Sequence, residues 1–251
     1  MGQLGLQLYT IRQETAKDFL GTIRKVAEIG YRGVEFSGYY GANARNLKNT
    51  LDRAGLKSAG TTVPWAVLEN GLEASIEYCR LIDCPAIVCP WIDAEMRQSL
   101  DGFKKIVERY HHFGAMCAEN GLRFLHHIHG FEFESMAGTN LMDYLLEHCD
   151  PKLVNFEIDV YWVEHAGVDS VQFMQKHADR CPYIHFKDTK DKKNFHDTEI
   201  GEGAIDMPSI MRLGKTHQAE WFIVEQETFD IPPMQSIEIS LKNLQRMDAL
   251  P

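Results

Sequence analysis

The stretch Glu119-Asn120-Gly121-Leu122-Arg123-Phe124-Leu125-His126-His127-Ile128-His129 contains a junction that recurs along this chain. Its first part reads as the end of a helix, and Gly121 suits the left-handed residue that follows a helix C-terminus. Its second part is a short apolar and aromatic run, which predicts a buried strand. The same junction occurs at Gly30 and at Gly55, so the chain is predicted to alternate helices and strands.

Eight strands of this kind are predicted along the chain. They are Leu4–Thr10, Gly33–Ser37, Lys57–Thr61, Ala86–Pro90, Arg123–His129, Val154–Trp162, Tyr183–Thr189 and Trp221–Glu227. Eight alternating strand–helix units in 251 residues predict an α/β fold, a closed (β/α)8 barrel forming a single domain over residues 1–251. An open doubly wound sheet is the alternative. It is disfavoured because the first strand–helix turn lacks the Gly-x-Gly-x-x-Gly motif of a nicotinamide site.

Charge and composition exclude several classes of protein. The chain has 26 Lys and Arg against 36 Asp and Glu, a net charge of −10, which argues against a nucleic-acid partner. The N-terminus has no signal-peptide pattern, and no run of about 18 uncharged apolar residues predicts a membrane span. Six scattered cysteines without close pairs indicate reduced thiols. These features predict a soluble, cytoplasmic protein.

Polar side chains interrupt the last four predicted strands, although buried parallel strands are usually almost continuously apolar. Residues two apart on a strand share a face. This rule joins four pairs near the C-terminal ends of the strands: His127 with His129, Glu157 with Asp159, His185 with Lys187, and Glu225 with Glu227. Barrel enzymes build their active sites at that end.

Two imidazoles and two carboxylates without a cysteine suit one divalent ion, such as Mn²⁺, Co²⁺, Mg²⁺ or Zn²⁺. The predicted ligands are His127, Asp159, His185 and Glu225. One strand histidine alone is more often structural. Four buried polar residues at matching heights on neighbouring strands favour a metal site.

These residues resemble the xylose isomerase-like TIM-barrel superfamily, which includes sugar isomerases and epimerases and the endonuclease IV family. The resemblance covers the whole chain and is closest to bacterial sugar phosphate isomerases/epimerases. It rests on Leu6-Gln7-Leu8-Tyr9-Thr10, Gly33-Val34-Glu35-Phe36, His126-His127-Ile128-His129, Asp159-Val160-Tyr161-Trp162, His185-Phe186-Lys187-Asp188, Gly201-Glu202-Gly203 and Trp221-Phe222-Ile223-Val224-Glu225-Gln226. It implies a metal-binding enzyme of carbohydrate metabolism, with a metal such as manganese, and is compatible with a homo-oligomer.

The resemblance also shows where this chain departs from the family pattern. The family's epimerases hold the metal with Glu, Asp, His and Glu from strands five to eight, whereas this chain has His127 on strand five, with His129 as the alternative ligand. Trp162 stands where epimerases commonly have a histidine. These differences speak against a symmetric relay of protons between two glutamates.

Two enzymatic reactions are consistent with this site. The leading prediction is a sugar isomerase or epimerase that acts through a metal-stabilised enediolate. Glu225 is the first candidate for the base, with Glu157 and Glu227 in reserve, and Lys187 is a candidate proton donor or oxyanion partner. The alternative is a 3-keto-glycoside lyase or hydrolase, which removes a proton at C2, expels the C1 substituent and, in the hydrolase, then adds water.

Several further residues are candidates for contact with a small-molecule sugar or glycoside. They are Tyr9, Glu35, His129, Trp162 and Glu227, although an ion pair inside the fold is the better explanation for Glu35. A DNA-repair enzyme is disfavoured by the net charge and by the shortage of additional histidines. A non-catalytic sugar-binding module is also considered, and it predicts no metal.

Overall fold

Eight parallel strands form a closed barrel in the computed structural model, which describes residues 2–248. The strands are β1 (Gln3–Gln7), β2 (Gly33–Ser37), β3 (Lys57–Thr62), β4 (Ala86–Cys89), β5 (Arg123–Ile128), β6 (Val154–Asp159), β7 (Tyr183–Phe186) and β8 (Trp221–Val224). Each strand pairs with its neighbours in sequence, and β8 closes the barrel against β1. The predicted single-domain (β/α)8 barrel is therefore confirmed.

Ten α-helices accompany these strands in the described part of the chain. They are α1 (Arg12–Lys17), α2 (Phe19–Ile29), α3 (Ala44–Ala54), α4 (Trp65–Leu81), α5 (Leu100–Glu119), α6 (Leu141–His148), α7 (Val160–His165), α8 (Ser170–His177), α9 (Met207–Thr216) and α10 (Pro233–Asp248). The predicted glycine stops are confirmed, since Gly30 and Gly55 end α2 and α3 with φ of 115° and 68°. Neither these helices nor any other helix among residues 2–248 is long and apolar enough to cross a membrane.

The lower half of the barrel interior is filled with apolar side chains. They form one buried cluster: Ala59, Ala86, Val88, Leu125, Tyr183, Trp221 and Ile223. A Cβ atom at Gly33 would lie 2.3 Å from the Trp221 ring, so the glycine leaves the space that this ring occupies. Because the interior is closed at this end, a substrate has access only from the opposite end, where the strands terminate.

At that opposite end, four of the predicted strands extend at least two residues beyond the strands of the structure. Leu8–Thr10 belong to a 3₁₀ helix (Leu8–Ile11), Val160–Trp162 begin α7, Asp188–Thr189 pair antiparallel with Asp197–Thr198, and Glu225–Glu227 lie beyond β8. Polar side chains at the strand ends explain two of these turns. Gln7 accepts a hydrogen bond from Tyr9 N, and Asp159 accepts bonds from the amides of Tyr161 and Trp162, so both cap the helix that follows.

Candidate active site

A cavity of about 790 Å³ opens at the C-terminal end of the barrel strands. Of the residues predicted for the site, seven lie on its wall: Tyr9, His127, His129, Trp162, His185, Glu225 and Glu227. The other four, Glu35, Glu157, Asp159 and Lys187, are buried behind these side chains. The predicted site is thus brought together at one place, in two layers.

The four predicted metal ligands lie within reach of a single ion. One donor atom from each of His127, Asp159, His185 and Glu225 lies within 4.8 Å of the others, and all four residues are buried. Asp159 uses Oδ1 to cap α7, while its Oδ2 is buried and has no hydrogen-bond partner. A buried carboxylate oxygen without a partner is costly, so it indicates a missing positive or donor group.

Two glutamates hold the imidazoles in place from behind. His127 Nδ1 lies 2.7 Å from Glu157 Oε2, which leaves Nε2 as the ligand atom of that ring. His185 Nε2 lies 3.2 Å from both Glu35 Oε2 and Glu157 Oε2, which leaves Nδ1 facing Glu225 at 2.7 Å. Gln7 Nε2 donates to Glu35 Oε1 at 2.8 Å. This arrangement is typical of the carboxylates that orient histidine ligands around a metal.

These positions change the picture of two predicted residues. Glu35 and Glu157 are fully buried, and neither lies on the cavity wall. The predicted roles of Glu157 as a reserve base and of Glu35 as a contact of the sugar therefore gain no support from this placement and stay predictions. Glu35 makes the interior ion pair that the sequence analysis preferred, because its partner His185 reaches it from β7.

Burial and charge set the protonation of the imidazoles and of Glu225. Burial acts to lower the pKa of His185, but the charges of Glu157 and Glu35 raise it well above its usual range, so an ion bound at His185 Nδ1 would displace a proton. Burial, helped by the nearby His185, lowers the pKa of His127 to about 3, so this imidazole is neutral, as a metal ligand must be. Burial acts to raise the pKa of Glu225, but the hydrogen bond and charge of His185 hold that pKa well below its usual range. Glu225 is therefore an ionised carboxylate on the cavity wall.

Two of the carboxyl groups buried behind the cavity wall have raised pKa values. Burial and the neighbouring Glu157 raise the pKa of Glu35 to about 8. Burial raises the pKa of Asp159 to about 7, although Lys187 opposes the rise. The carboxylates of Glu35, Glu157, Asp159 and Glu225 are all buried, and a divalent cation in the group that Asp159 and Glu225 form with the two imidazoles would offset part of this negative charge. The donor set fits such an ion.

Lys187 forms an ion pair with Glu227. Its ammonium nitrogen lies 4.7 Å from the Tyr161 ring centroid and 4.6 Å from that of Trp162. This position between two aromatic faces is a favourable one for a cation. Lys187 is 1% exposed, so it holds Glu227 and Trp162 in position at the edge of the cavity.

Aromatic rings form one side of the cavity, and the sequence analysis noted only part of this side. His129 lies 5.2 Å from Trp91, 5.8 Å from Phe131 and 5.6 Å from Trp162, measured between ring centroids. Trp91 and Phe131 are themselves 4.8 Å apart and nearly perpendicular. His129 and Trp162 were among the predicted contacts of the sugar, but nothing in the sequence pattern marked Phe131.

A second histidine network lies on the outer face of β5, and the sequence analysis missed it. His126 Nε2 lies 2.8 Å from Glu132 Oε1, and His126 Nδ1 lies 2.8 Å from the Tyr110 hydroxyl in α5. The other oxygen of Glu132 accepts a hydrogen bond from the backbone amide of His129 at 3.0 Å. Glu132 thus ties the loop after β5 to the strand itself.

The fold agrees with what is found among known proteins. Residues 23–247 match the family model described as "Xylose isomerase-like TIM barrel". This chain belongs to that family. An inosose dehydratase of Geobacillus kaustophilus (strain HTA426) is 24% identical over 82% of this chain and 79% of its own length. The resemblance drawn from the sequence motifs is therefore confirmed.

Solved structures of the family superpose on nearly the entire chain. A sugar phosphate isomerase/epimerase from Parabacteroides distasonis ATCC 8503 has a TM-score of 0.85 and 24% identity, covering 98% of both chains. The probable 3-DHS dehydratase AsbF of Bacillus anthracis has a TM-score of 0.72 and 14% identity, again covering 98% of both chains. At these identities the likeness shows the common barrel fold.

The glycine amides of the loop at residues 201–203 are not free to bind a phosphate group. The amides of Gly201 and Gly203 both donate to Asp188 Oδ2, and the amide of Ile205 donates to Asp188 Oδ1. A Cβ atom at Gly203 would lie 2.3 Å from this carboxylate, so the glycine permits the close approach. The loop's anion-binding amides are therefore already used by the chain's own aspartate.

Proposed function

We propose that this protein is a divalent-metal-dependent lyase that eliminates a substituent next to the ketone of a cyclic keto-sugar or keto-polyol. It widens the lyase part of the alternative considered in the sequence analysis, a 3-keto-glycoside lyase or hydrolase, to other cyclic ketones, and it now stands ahead of the isomerase or epimerase. Relatives that are 24% identical to the chain support this order, since their name, inosose dehydratase, describes an elimination of water. The AsbF likeness concerns the fold, and its name also describes a dehydratase.

One observation carries the proposal. The candidate metal group contains only one glutamate, Glu225, and that glutamate lies on the cavity wall, whereas Glu35 and Glu157 are buried behind the imidazoles. An epimerase relay needs a proton donor or acceptor on each face of the substrate carbon. Elimination needs only one base, which Glu225 supplies, while the other glutamate predicted on the cavity wall, Glu227, is paired with Lys187.

We assign the ion to His127 Nε2, Asp159 Oδ2, His185 Nδ1 and Glu225. A divalent ion bound there would stabilise negative charge on a ketone oxygen. Glu225 takes the proton from the carbon beside the ketone. The electrons of that C–H bond form a C=C bond, the adjacent C–O bond breaks, and the leaving oxygen departs with its electron pair. The proton held by Glu225 then passes to that oxygen, so one residue serves both steps.

The remaining site residues orient the substrate and the base in this proposal. Glu35 and Glu157 fix the ring orientations of His127 and His185 through the contacts described above. Lys187 holds Glu227 at the cavity edge, where its carboxylate is placed to accept hydrogen bonds from sugar hydroxyl groups. Tyr9 and Trp162 provide flat faces for the sugar ring.

The test uses protein purified without a metal-affinity tag and loaded with Mn²⁺ in deuterated water. An inosose, a 3-keto-glucoside and a plain ketose are incubated with it, and products are followed by NMR and mass spectrometry. Loss of water from the inosose, or release of the aglycone from the keto-glucoside, supports the lyase. Deuterium exchange on the plain ketose with epimer formation and no loss of mass would overturn the lyase in favour of the epimerase.

A further inference from the structure

The cavity has two ends with different chemistry. Its inner end carries the polar side chains of His127, His185 and Glu225. His129, whose ring centroid is 4.6 Å from that of His127, connects this end to the rings of Trp91 and Phe131. We define Trp91 and Phe131 as the outer wall.

Trp91 is exposed in a way that a packing role does not explain, whereas Phe131 is 8% exposed and belongs to the main core cluster. Trp91 is 46% exposed although it lies on a concave surface against other rings. Trp91 is absent from the buried core clusters, and among the described residues its ring contacts the rings of His129 and Phe131 and the guanidinium of Arg97. A large aromatic ring left open beside a polar site is typical of a surface that a ligand covers.

The wall is also held in place before any ligand arrives. The Arg97 guanidinium lies 4.1 Å from the Phe131 centroid and 5.9 Å from that of Trp91. Its Nε donates to the Ile92 carbonyl at 3.3 Å, and Nη1 pairs with Glu134 at 3.5 Å. Glu132, from the neighbouring position, fixes the loop that carries Phe131. A rigid surface of this kind binds a ring at little ordering cost.

The size of the cavity points in the same direction. Its volume of about 790 Å³ lies in the upper part of the range of roughly 300–1,000 Å³ that holds drug-sized ligands. A single six-membered polyol that contacts the inner end leaves the outer wall uncovered. The space is therefore suited to a molecule with two rings.

We propose that the substrate is a glycoside with a second ring, whose flat apolar face stacks on Trp91 beside Phe131. This inference rests on the proposed elimination and names the leaving group of that reaction. With a 3-keto-glycoside, Glu225 takes the C2 proton, the C1–C2 double bond forms, and the C1–O bond breaks. The ring-bearing alcohol leaves with the electron pair and receives the proton back from Glu225. An aryl group and a second sugar both present such a face.

The experiment measures binding of unreactive probes by calorimetry to the Mn²⁺-loaded protein. The probes are phenyl β-glucopyranoside, cellobiose and methyl β-glucopyranoside, which lack a ketone. We expect the phenyl compound or cellobiose to bind at least about tenfold tighter than the methyl compound, since one stacked ring contributes about 1–3 kcal/mol. Preference for the phenyl probe alone assigns an aryl aglycone, and preference for cellobiose alone assigns a sugar.

Variants test whether the preference for a probe with a second ring depends on the outer wall. In Trp91→Ala the preference is expected to fall to within about twofold, while Trp91→Phe, which keeps a flat ring, retains most of it. Leu81→Ala is the matched control, because Leu81 is exposed on α4 and does not line the cavity. Equal affinities for the three probes in the wild-type protein, or no binding at the highest concentration, would overturn the proposal.

The binding measurement tests the outer wall separately from the proposed lyase reaction. If the phenyl preference is found but phenyl 3-keto-glucoside is not cleaved, the outer wall is established and the proposed lyase reaction is wrong. If an inosose is dehydrated while the three probes bind equally, the lyase stands and the second ring is excluded.

Discussion

Two neighbouring histidines on β5 face opposite sides of the strand and enter two different kinds of network. His126 points outward to α5 and His127 points into the barrel, and each is paired with a buried glutamate at 2.7 or 2.8 Å. On the outer side both imidazole nitrogens and both oxygens of Glu132 have partners. On the inner side Glu157 Oε1 and Asp159 Oδ2 are buried without one.

The difference shows how to separate a structural polar cluster from a functional one when the residue types are the same. Buried polar groups in folded proteins are almost always satisfied, so the outer network has completed its bonds within the chain. The inner cluster has not, and its Asp159 belongs to a group of four side chains beside the cavity that could hold one ion. Composition does not distinguish these clusters. The state of their hydrogen bonds does.

The largest expected effect is on the rate of catalysis, and it comes from a change in the inner cluster beside the cavity. Replacing Glu225 with Gln keeps its shape but removes the base, so kcat for elimination should fall by about 10²–10⁴-fold. The measurement is the rate of product formation from a keto-sugar. Glu220→Gln is the control, because Glu220 pairs with Arg123 at the opposite end of the barrel. A Glu225→Gln enzyme with a kcat within threefold of the wild type would contradict the assignment.

In the network of His126 and Glu132 on the outer face of β5, the expected effect is on the free energy of unfolding. Glu132→Ala leaves His126 buried without its charged partner and should lower the free energy of unfolding by about 3–5 kcal/mol in urea titrations. Glu134→Ala, two residues away and exposed, should change it by less than about 0.5 kcal/mol. The rise in Tm on adding Mn²⁺ should persist in folded Glu132→Ala. Loss of that rise would mean that the two networks are not separate.

The outer network also predicts a dependence of stability on pH. Burial acts to lower the pKa of His126, but hydrogen bonds to Cys89 and Glu132 raise it to about 9. Since the folded pKa lies above the unfolded value of about 6.5, the stabilisation is complete below about pH 6.5 and is lost as the pH rises through about 9. The loss should be about 3 kcal/mol, measured by urea unfolding across this range. An equally steep loss in Glu132→Gln would refute this origin.

The smallest expected effect is on the affinity of the inner cluster for metal. Glu157→Gln removes the carboxylate that orients His127 and His185, and such partners typically contribute 10–100-fold to metal affinity. Calorimetric titration with Mn²⁺ should show this loss, and Glu220→Gln should show none. If the variant bound Mn²⁺ as tightly as the wild type, Glu157 would have no orienting role.

Much of the barrel and of the site was accessible from the sequence, because strand periodicity is a local signal. The glycine stops at Gly30 and Gly55 and the parity of His127, Asp159 and His185 rest on nothing more than spacing along the chain. Strand ends were less accessible. A side chain such as that of Asp159 turns the backbone only when its oxygen meets the following amides.

The depth of each residue behind the cavity wall was not accessible from the sequence. Glu157 lies inside β6, level with Tyr183 on β7, whereas Glu225 follows the last residue of β8, so only Glu225 reaches the cavity. The stagger between neighbouring strands decides this, and no pattern within one strand reports it. The partnership of His126 with Tyr110 and Glu132 likewise joins a helix, a strand and a loop. The outer wall depends in the same way on how the loop after β5 folds back.

The placement of unlike networks at positions 126 and 127 also fixes the alignment of β5 during folding. His127 stands opposite Glu157 on β6, and His126 stands opposite Phe156. A slip of one residue would turn His126 inward and His127 outward, separating both histidines from their glutamates at once. The two networks together therefore disfavour the barrel in which β5 is shifted by one residue. The strand whose inner face carries the candidate site thus also specifies its own register.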